Sequence, residues 1–318
     1  MEKSDPRLSL IFLKIYAFGL KSLYLLVSSY KMKRQELMIT VPLPHKSYKM
    51  KIIKTVFLSA LTIGASQQLH AQDVHLHVNT QWEECSIQLD STLSQGAWHQ
   101  FTKEAGMVVY FRPLHGAETL APGKFELSVL QWNTGIDETQ SAWNETFVHP
   151  DTTHYLIGGD ELPFPGLTLR AGISDKMDAG VYYTKSPGAN YNIFAAQVQY
   201  NLFQNNTQRF YVSGRAGFST IFGPDDLGYE VFGIDAITSK EFSFANDHLG
   251  LTPYALASAV LTHAHEKSDI VELDDENLLG GQAAIGAEAR IFFARLGVEY
   301  NWGPVNTMSY KLGVVVKL

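Results

Sequence analysis

The chain contains a single cysteine, Cys85, in 318 residues, so no disulfide can form within it. That cysteine stands too far beyond the preceding apolar run to be the lipid-modified residue of a lipoprotein, and a buried, inert thiol is its expected role. Catalytic signatures are also missing. There is no G-x-S-x-G elbow, no H-E-x-x-H, no phosphate-cradling G-x-x-x-x-G-K-[ST] and no paired-cysteine metal site. No catalytic residue and no cofactor is assigned on that basis, and the protein is not expected to be an enzyme. Basic residues become scarce after residue 71, with 14 Lys and Arg against 29 Asp and Glu, a net charge of −15. This excludes nucleic acid as a partner, which requires clustered positive charge.

Long uncharged apolar runs are lacking as well. The stretch "LSLIFLKIYAFGLKSLYLLV" is interrupted by Lys14 and Lys21, and Val56–Ala65 has only ten residues, too few to cross about 30 Å of hydrocarbon as a helix. From Met50 the order is that of a secretory signal peptide: Lys51 and Lys54, the short apolar centre, then Leu69, His70 and Ala71 before Gln72. Residues 50–71 are read as the signal, cut after Ala71, although Leu69 stands where a small residue is usual. Residues 1–49 then lie upstream of the true translation start, or form an anchor.

What is abundant is alternation. In "GQAAIGAEARIFFARLGVEYNW", Gly281 to Trp302, one set by twos is Ile285, Ala287, Ala289, Ile291, and the other contains Glu288 and Arg290. After a slip at Phe292 and Phe293, Leu296, Val298, Tyr300 and Trp302 share a face opposite Arg295 and Glu299. Period two means strand. The same pattern predicts ten strands, near 125–133, 166–174, 177–185, 190–202, 208–221, 228–240, 249–262, 281–291, 293–302 and 307–317. Several match the nine to eleven residues a tilted strand needs to cross a bilayer. Alternate connections are mostly short, while the other side carries the two long ones, 134–165 and 263–280. Short turns on one side and longer loops on the other suit a transmembrane barrel with both barrel ends on the periplasmic side.

The last strand carries Tyr310, Leu312, Val314, Val316 and Leu318 by twos to the final residue. It resembles the closing strand of bacterial outer-membrane β-barrel proteins, which the barrel-insertion machinery reads; Leu318 departs from the usual terminal Phe or Trp. The resemblance covers Phe125 to Leu318 and is architectural. It implies an all-β, antiparallel up-and-down transmembrane β-barrel in the outer membrane, porin-like in architecture, at residues 124–318, with lipid and the insertion machinery as partners. Residues 72–123 form a short periplasmic or plug segment: "DSTLSQGAWHQFTKEAG" has Leu93, Ala97, Trp98 and Phe101 at helical spacing, and "GMVVYFRPL" reads as an extra strand. If Met107 to Arg112 crosses with a partner strand, the count becomes twelve.

Strand phase points Glu126, Arg170, Asp178, Arg215, Asp235, Glu288, Arg290, Arg295, Glu299 and Lys311 into the lumen, five acids against five bases. Buried charges must pair, so a salt-bridge network is expected, with Glu288 and Arg290 opposite or close to Arg295 and Glu299. No metal is assigned; His149, His154, His263 and His265, in two loops with carboxylates nearby, are the weak candidates. The acidic "GIDETQ", "GGDE" and "DDEN" read as solvated loop surface. The function expected is a structural or surface-binding barrel, or a narrow channel for small solutes; the external ligand is unknown. A secreted β-sandwich binding module is the alternative, and a barrel hydrolase with an external-loop site a second, like the omptin proteases in strand number but matching no omptin motif.

Overall fold

The computed structural model describes residues 85–148, 161–185, 188–245 and 248–317. The signal-peptide reading, residues 50–71, and the segment 1–49 lie outside the described residues.

Period-two patterning becomes strand at each of the ten expected places. The barrel strands are β2 (Lys124–Gly135), β4 (Glu161–Ser174), β5 (Met177–Lys185), β6 (Asn192–Asn205), β7 (Phe210–Phe222), β8 (Leu227–Lys240), β10 (Leu249–Glu266), β11 (Glu276–Ile291), β12 (Ala294–Trp302) and β13 (Thr307–Lys317). Each pairs antiparallel with its neighbours, β13 returns to β2, and β10 pairs with both β8 and β11. The sheet is therefore closed, which removes the unpaired edges that lipid cannot satisfy. A sandwich needs two facing sheets, so the β-sandwich reading is discarded. Three minor strands complete the set: β1 (Ser86–Ile87), β3 (Phe147–Val148), which pairs with β1, and β9 (Phe242–Phe244), which adds to β10.

The two faces of this sheet differ in chemistry. Outward stand Leu127, Val129, Leu167, Val198, Ile234, Ile285, Leu296 and Val316, all exposed, with Ile234 65% accessible. An apolar belt around a whole closed sheet far exceeds the few hundred Å² a soluble monomer leaves exposed, and lipid is the solvent it fits. Aromatic pairs lie at both rims, Tyr183 with Phe222 and Tyr300 with Trp302 at one, Phe203 with Phe210 at the other, as interfacial girdles do. The apolar faces of the strands therefore point out, and the charged faces point in.

Connections at one rim are short: residues 175–176, 206–209 and 292–293, with 241–248 containing β9. The Phe292–Phe293 turn holds Phe292 at φ 56°, where an L side chain is strained, and its ring stacks on His248 at 5.1 Å. The other rim carries 136–160, 186–191, 223–226, 267–275 and 303–306. A short helix, α2 (Ser141–Asn144), lies in the first of these, while α1 (Gln95–Val109) precedes the barrel.

Candidate functional site: an occupied lumen

The segment expected to add a strand does not join the sheet. Met107 to Arg112 pairs with no barrel strand, so the count is ten and the twelve-strand alternative falls. Instead, α1 lies at the long-loop rim, and the chain from Tyr110 to Gly123 runs through the lumen to the short-turn rim, where β2 begins.

Local chemistry explains the course. Ser94 caps α1, its Oγ accepting from the Ala97 amide at 3.3 Å. Trp98 and Phe101 fall on one helical face and stack on each other, and Phe101 packs with Trp143, Phe147 and Tyr229, the Phe101–Trp143 ring centroids being 5.2 Å apart. Pro113 stops any continuation of the helix. An extended backbone then has unpaired amides and carbonyls, and the inner wall supplies partners. The Tyr110 hydroxyl donates to Asp235 at 3.0 Å, the Phe111 amide to Ser219 at 3.1 Å and the Ala117 amide to Ser239 at 2.9 Å. Gln199 donates to the Gly116 carbonyl at 3.3 Å, Asn201 and Ser213 to that of Ala117, and Arg170 to that of Glu118 at 2.8 Å. The Leu120 amide donates to Asp178 at 2.9 Å. Two inward glycines leave the room required: a Cβ at Gly233 would stand 2.5 Å from the Tyr110 ring, and one at Gly172 2.1 Å from the Ala121 carbonyl oxygen.

All ten lumen residues named from strand phase lie on the inner face. Seven are buried, while Glu288, Arg290 and Arg295 are partly accessible. The largest group is a chain of ion pairs across β5, β4, β2, β13, β11 and β12. Asp178 meets Arg170 at 2.5 Å, Arg170 meets Glu126 at 3.6 Å, Lys311 bridges Glu126 at 2.7 Å and Glu288 at 2.6 Å, and Arg295 reaches Glu288 at 3.4 Å. Asp235 binds Arg215 at 2.5 Å.

The pairing expected between β11 and β12 forms for Glu288 and Arg295 but not for Arg290 and Glu299. The two-residue turn sets Arg290 directly opposite Arg295, and Glu299 opposite Gly286. Arg290 therefore turns to Glu241, and Glu299 accepts from the Tyr254 hydroxyl at 2.8 Å and from Asn301 at 2.9 Å. Phase assigns a face, but only register assigns a partner.

Sequence reasoning missed Arg112, Glu241 and Tyr254. Tyr254 and Glu241 continue the parity of their strands, which would have found them. Arg112 is the one base in an apolar run, and it is fully buried, donating through Nη2 to the Met107 carbonyl and to Gln282. Its Nε and Nη1 meet no protein acceptor among the described residues.

The loop candidates are not assembled. His149 and His154 lie outside the described residues. His263 meets Asn277 at 3.0 Å and His265 meets Asp275 at 2.5 Å, and among the described residues no three metal-binding side chains come together. The acidic loops do more than face solvent. In "DDEN", the Asp274 carbonyl accepts from Trp98 at 3.2 Å, and Glu276 accepts from Gln95 at 2.7 Å and pairs with His99 at 3.0 Å, tying the loop to α1. In "GIDETQ", hydrogen bonds from Thr139 and Gln140 hold the Asp137 carboxyl below the usual carboxylate range.

Closed sheet, lipid-facing belt and polar interior define an outer-membrane β-barrel. No protein-family model matches the sequence, and no curated protein does. Similar solved structures include Ail, the attachment invasion locus protein of Yersinia pestis, at 9% identity over 61% of this chain and 99% of that one, with a TM-score of 0.26. LpxR from Salmonella typhimurium is 10% identical over 60% and 99%, with a TM-score of 0.31. An outer membrane channel from Pseudomonas putida F1 is 11% identical over 63% and 98%, with a TM-score of 0.35. At such scores the likeness adds nothing to the geometry, and the barrel stands on its own strand order and surface.

Proposed function

We propose that this protein is an occluded barrel which acts at its long-loop surface, as a structural or ligand-binding element facing outward, and does not pass solutes at rest. The observation that carries the reading is the course of Tyr110 to Gly123 through the lumen, hydrogen-bonded to the wall from Ser219 to Asp178. A ten-stranded barrel is narrow: about eight strands leave an interior that side chains alone fill, and wide aqueous pores need about sixteen. Insertion would proceed through β13, recognised by the barrel-insertion machinery, with the long loops outside and both barrel ends in the periplasm. An enzymatic role is not part of the proposal; the His265–Asp275 pair is read as bracing the ends of its loop.

A second reading, a narrow path for small solutes, is favoured by one feature. The side-chain oxygens of Gln197, Gln199 and Asn201, and two nitrogens of Arg112, are buried without a protein partner among the described residues. Buried polar groups of this kind call for water, which this reading would place beside the plug. Planar-bilayer recording separates the readings. The occluded barrel gives weak or no conductance, whereas large, steady single-channel steps from the unmodified protein overturn it in favour of transport.

A further inference from the structure

The two ends of the plug lie at opposite rims. Lys124, where the plug joins the barrel, is at the short-turn rim, its amide donating to the Ala121 carbonyl at 3.1 Å. The head of the plug, Cys85 to His99, is woven into four of the five connections at the long-loop rim. β1 pairs with β3 in the first. The Ile87 amide donates to Asn190 in the second at 2.9 Å, the Leu89 amide to Asp226 in the third at 2.9 Å, and Trp98 to the Asp274 carbonyl in the fourth. The sheet between the rims is closed, and the lumen already holds Tyr110 to Gly123.

We infer that residues 85–99 stand on the cell surface, placed there through the barrel that the same chain forms as it closes. This rests on the reading that the long loops face outward. Three consequences follow from the geometry. First, the head cannot reach the short-turn side without emptying the lumen, because the closed sheet offers no other route. Second, the plug is seated before closure. The β13–β2 seam closes on the strand that directly follows the plug, and a helix about 10–12 Å across with aromatic side chains packed against the loops does not thread a finished narrow lumen. Third, any ligand of the long-loop surface meets the plug head as part of that surface, since Ser91, Thr92, Ser94 and His99 are exposed there.

Three variants, each adding one cysteine to the buried Cys85, test the placement in intact cells with a membrane-impermeant maleimide, the labelling of Cys85 in unmodified protein being the blank. Ser91→Cys probes the head, Glu272→Cys the fourth long connection, and Asp175→Cys the short-turn rim. Labelling of Ser91→Cys and Glu272→Cys on intact cells, with Asp175→Cys reacting only after permeabilisation, is the expected result. If Glu272→Cys reacts on intact cells and Ser91→Cys only after permeabilisation, the head lies elsewhere and the inference fails while the orientation stands. If Asp175→Cys alone reacts on intact cells, the orientation itself fails, and the inference with it.

Discussion

The hydroxyl of Tyr110 donates to Asp235 at 3.0 Å, and the carboxylate that receives it is also held by Arg215 at 2.5 Å. One residue of the plug thus closes a buried charge pair of the wall. Its ring occupies the space over Gly233 that any other residue would fill. Wall and plug are complementary in shape and in polarity at the same place, which is the mark of a fixed packing contact.

That contact gives the first prediction. Gly233→Val places a side chain where the Tyr110 ring already sits, and overpacking of this kind costs about 1–3 kcal/mol. Gly214→Ala, whose added Cβ would meet nothing nearer than Leu202 at 3.7 Å, is the control and is expected to be tolerated. Thermal unfolding in detergent, followed by circular dichroism, reads both. A Gly233→Val protein as stable as Gly214→Ala means that Tyr110 does not pack against the wall.

The lipid face gives the second. Leu296 and Val298 are exposed on the outer surface of β12, and replacing either by Arg is expected to impair insertion by roughly 2–4 kcal/mol if it lies at the bilayer midplane. Glu272→Arg in the 267–275 loop is expected to insert normally. Heat-modifiable gel mobility of the membrane fraction measures folded barrel in each case, and equal tolerance at all three sites contradicts the orientation of the strands.

A third prediction follows from the ion-pair chain. Lys311 alone stands between Glu126 and Glu288, so Lys311→Met leaves two carboxylates without their nearest cation. Breaking a buried pair costs about 3–5 kcal/mol; the lower end is expected here because Arg170 and Arg295 remain within 3.6 and 3.4 Å. The double variant Arg290→Gln with Arg295→Gln is expected to lose less, since Glu288 keeps Lys311 and Glu241 keeps Arg209. Urea unfolding in detergent ranks the two, and a larger loss in the double variant reverses the assignment.

The strands were legible because a closed barrel repeats one rule: from Leu127 to Val316, alternate residues meet lipid and the rest meet the lumen. Two kinds of information escape that rule. Register does, because alternation fixes only a face; the Phe292–Phe293 turn decides that Arg290 faces Arg295, and the charges then find other partners. The plug does too. Met107, Val108, Val109, Tyr110 and Phe111 are all buried, since a segment inside a barrel is surrounded on every side and shows no period. Helical spacing at Leu93, Ala97, Trp98 and Phe101 found α1 but not how far it extends, because from Ala105 to Val109 the helix is buried all round.

The account depends most on the plug lying inside the barrel, and cross-linking measures that directly. A Cβ built at Gly116 stands 2.9 Å from the Ser239 Cβ, so a shift under about 1 Å brings the pair to the usual disulfide separation of about 3.5–4.5 Å. The double variant Gly116→Cys with Ser239→Cys, made with Cys85→Ala, is expected to form this bond on mild oxidation of the folded protein and to lose both free thiols. Two thiols that remain reactive toward maleimide in the folded, oxidised barrel would place residues 110–123 outside the lumen and contradict the account.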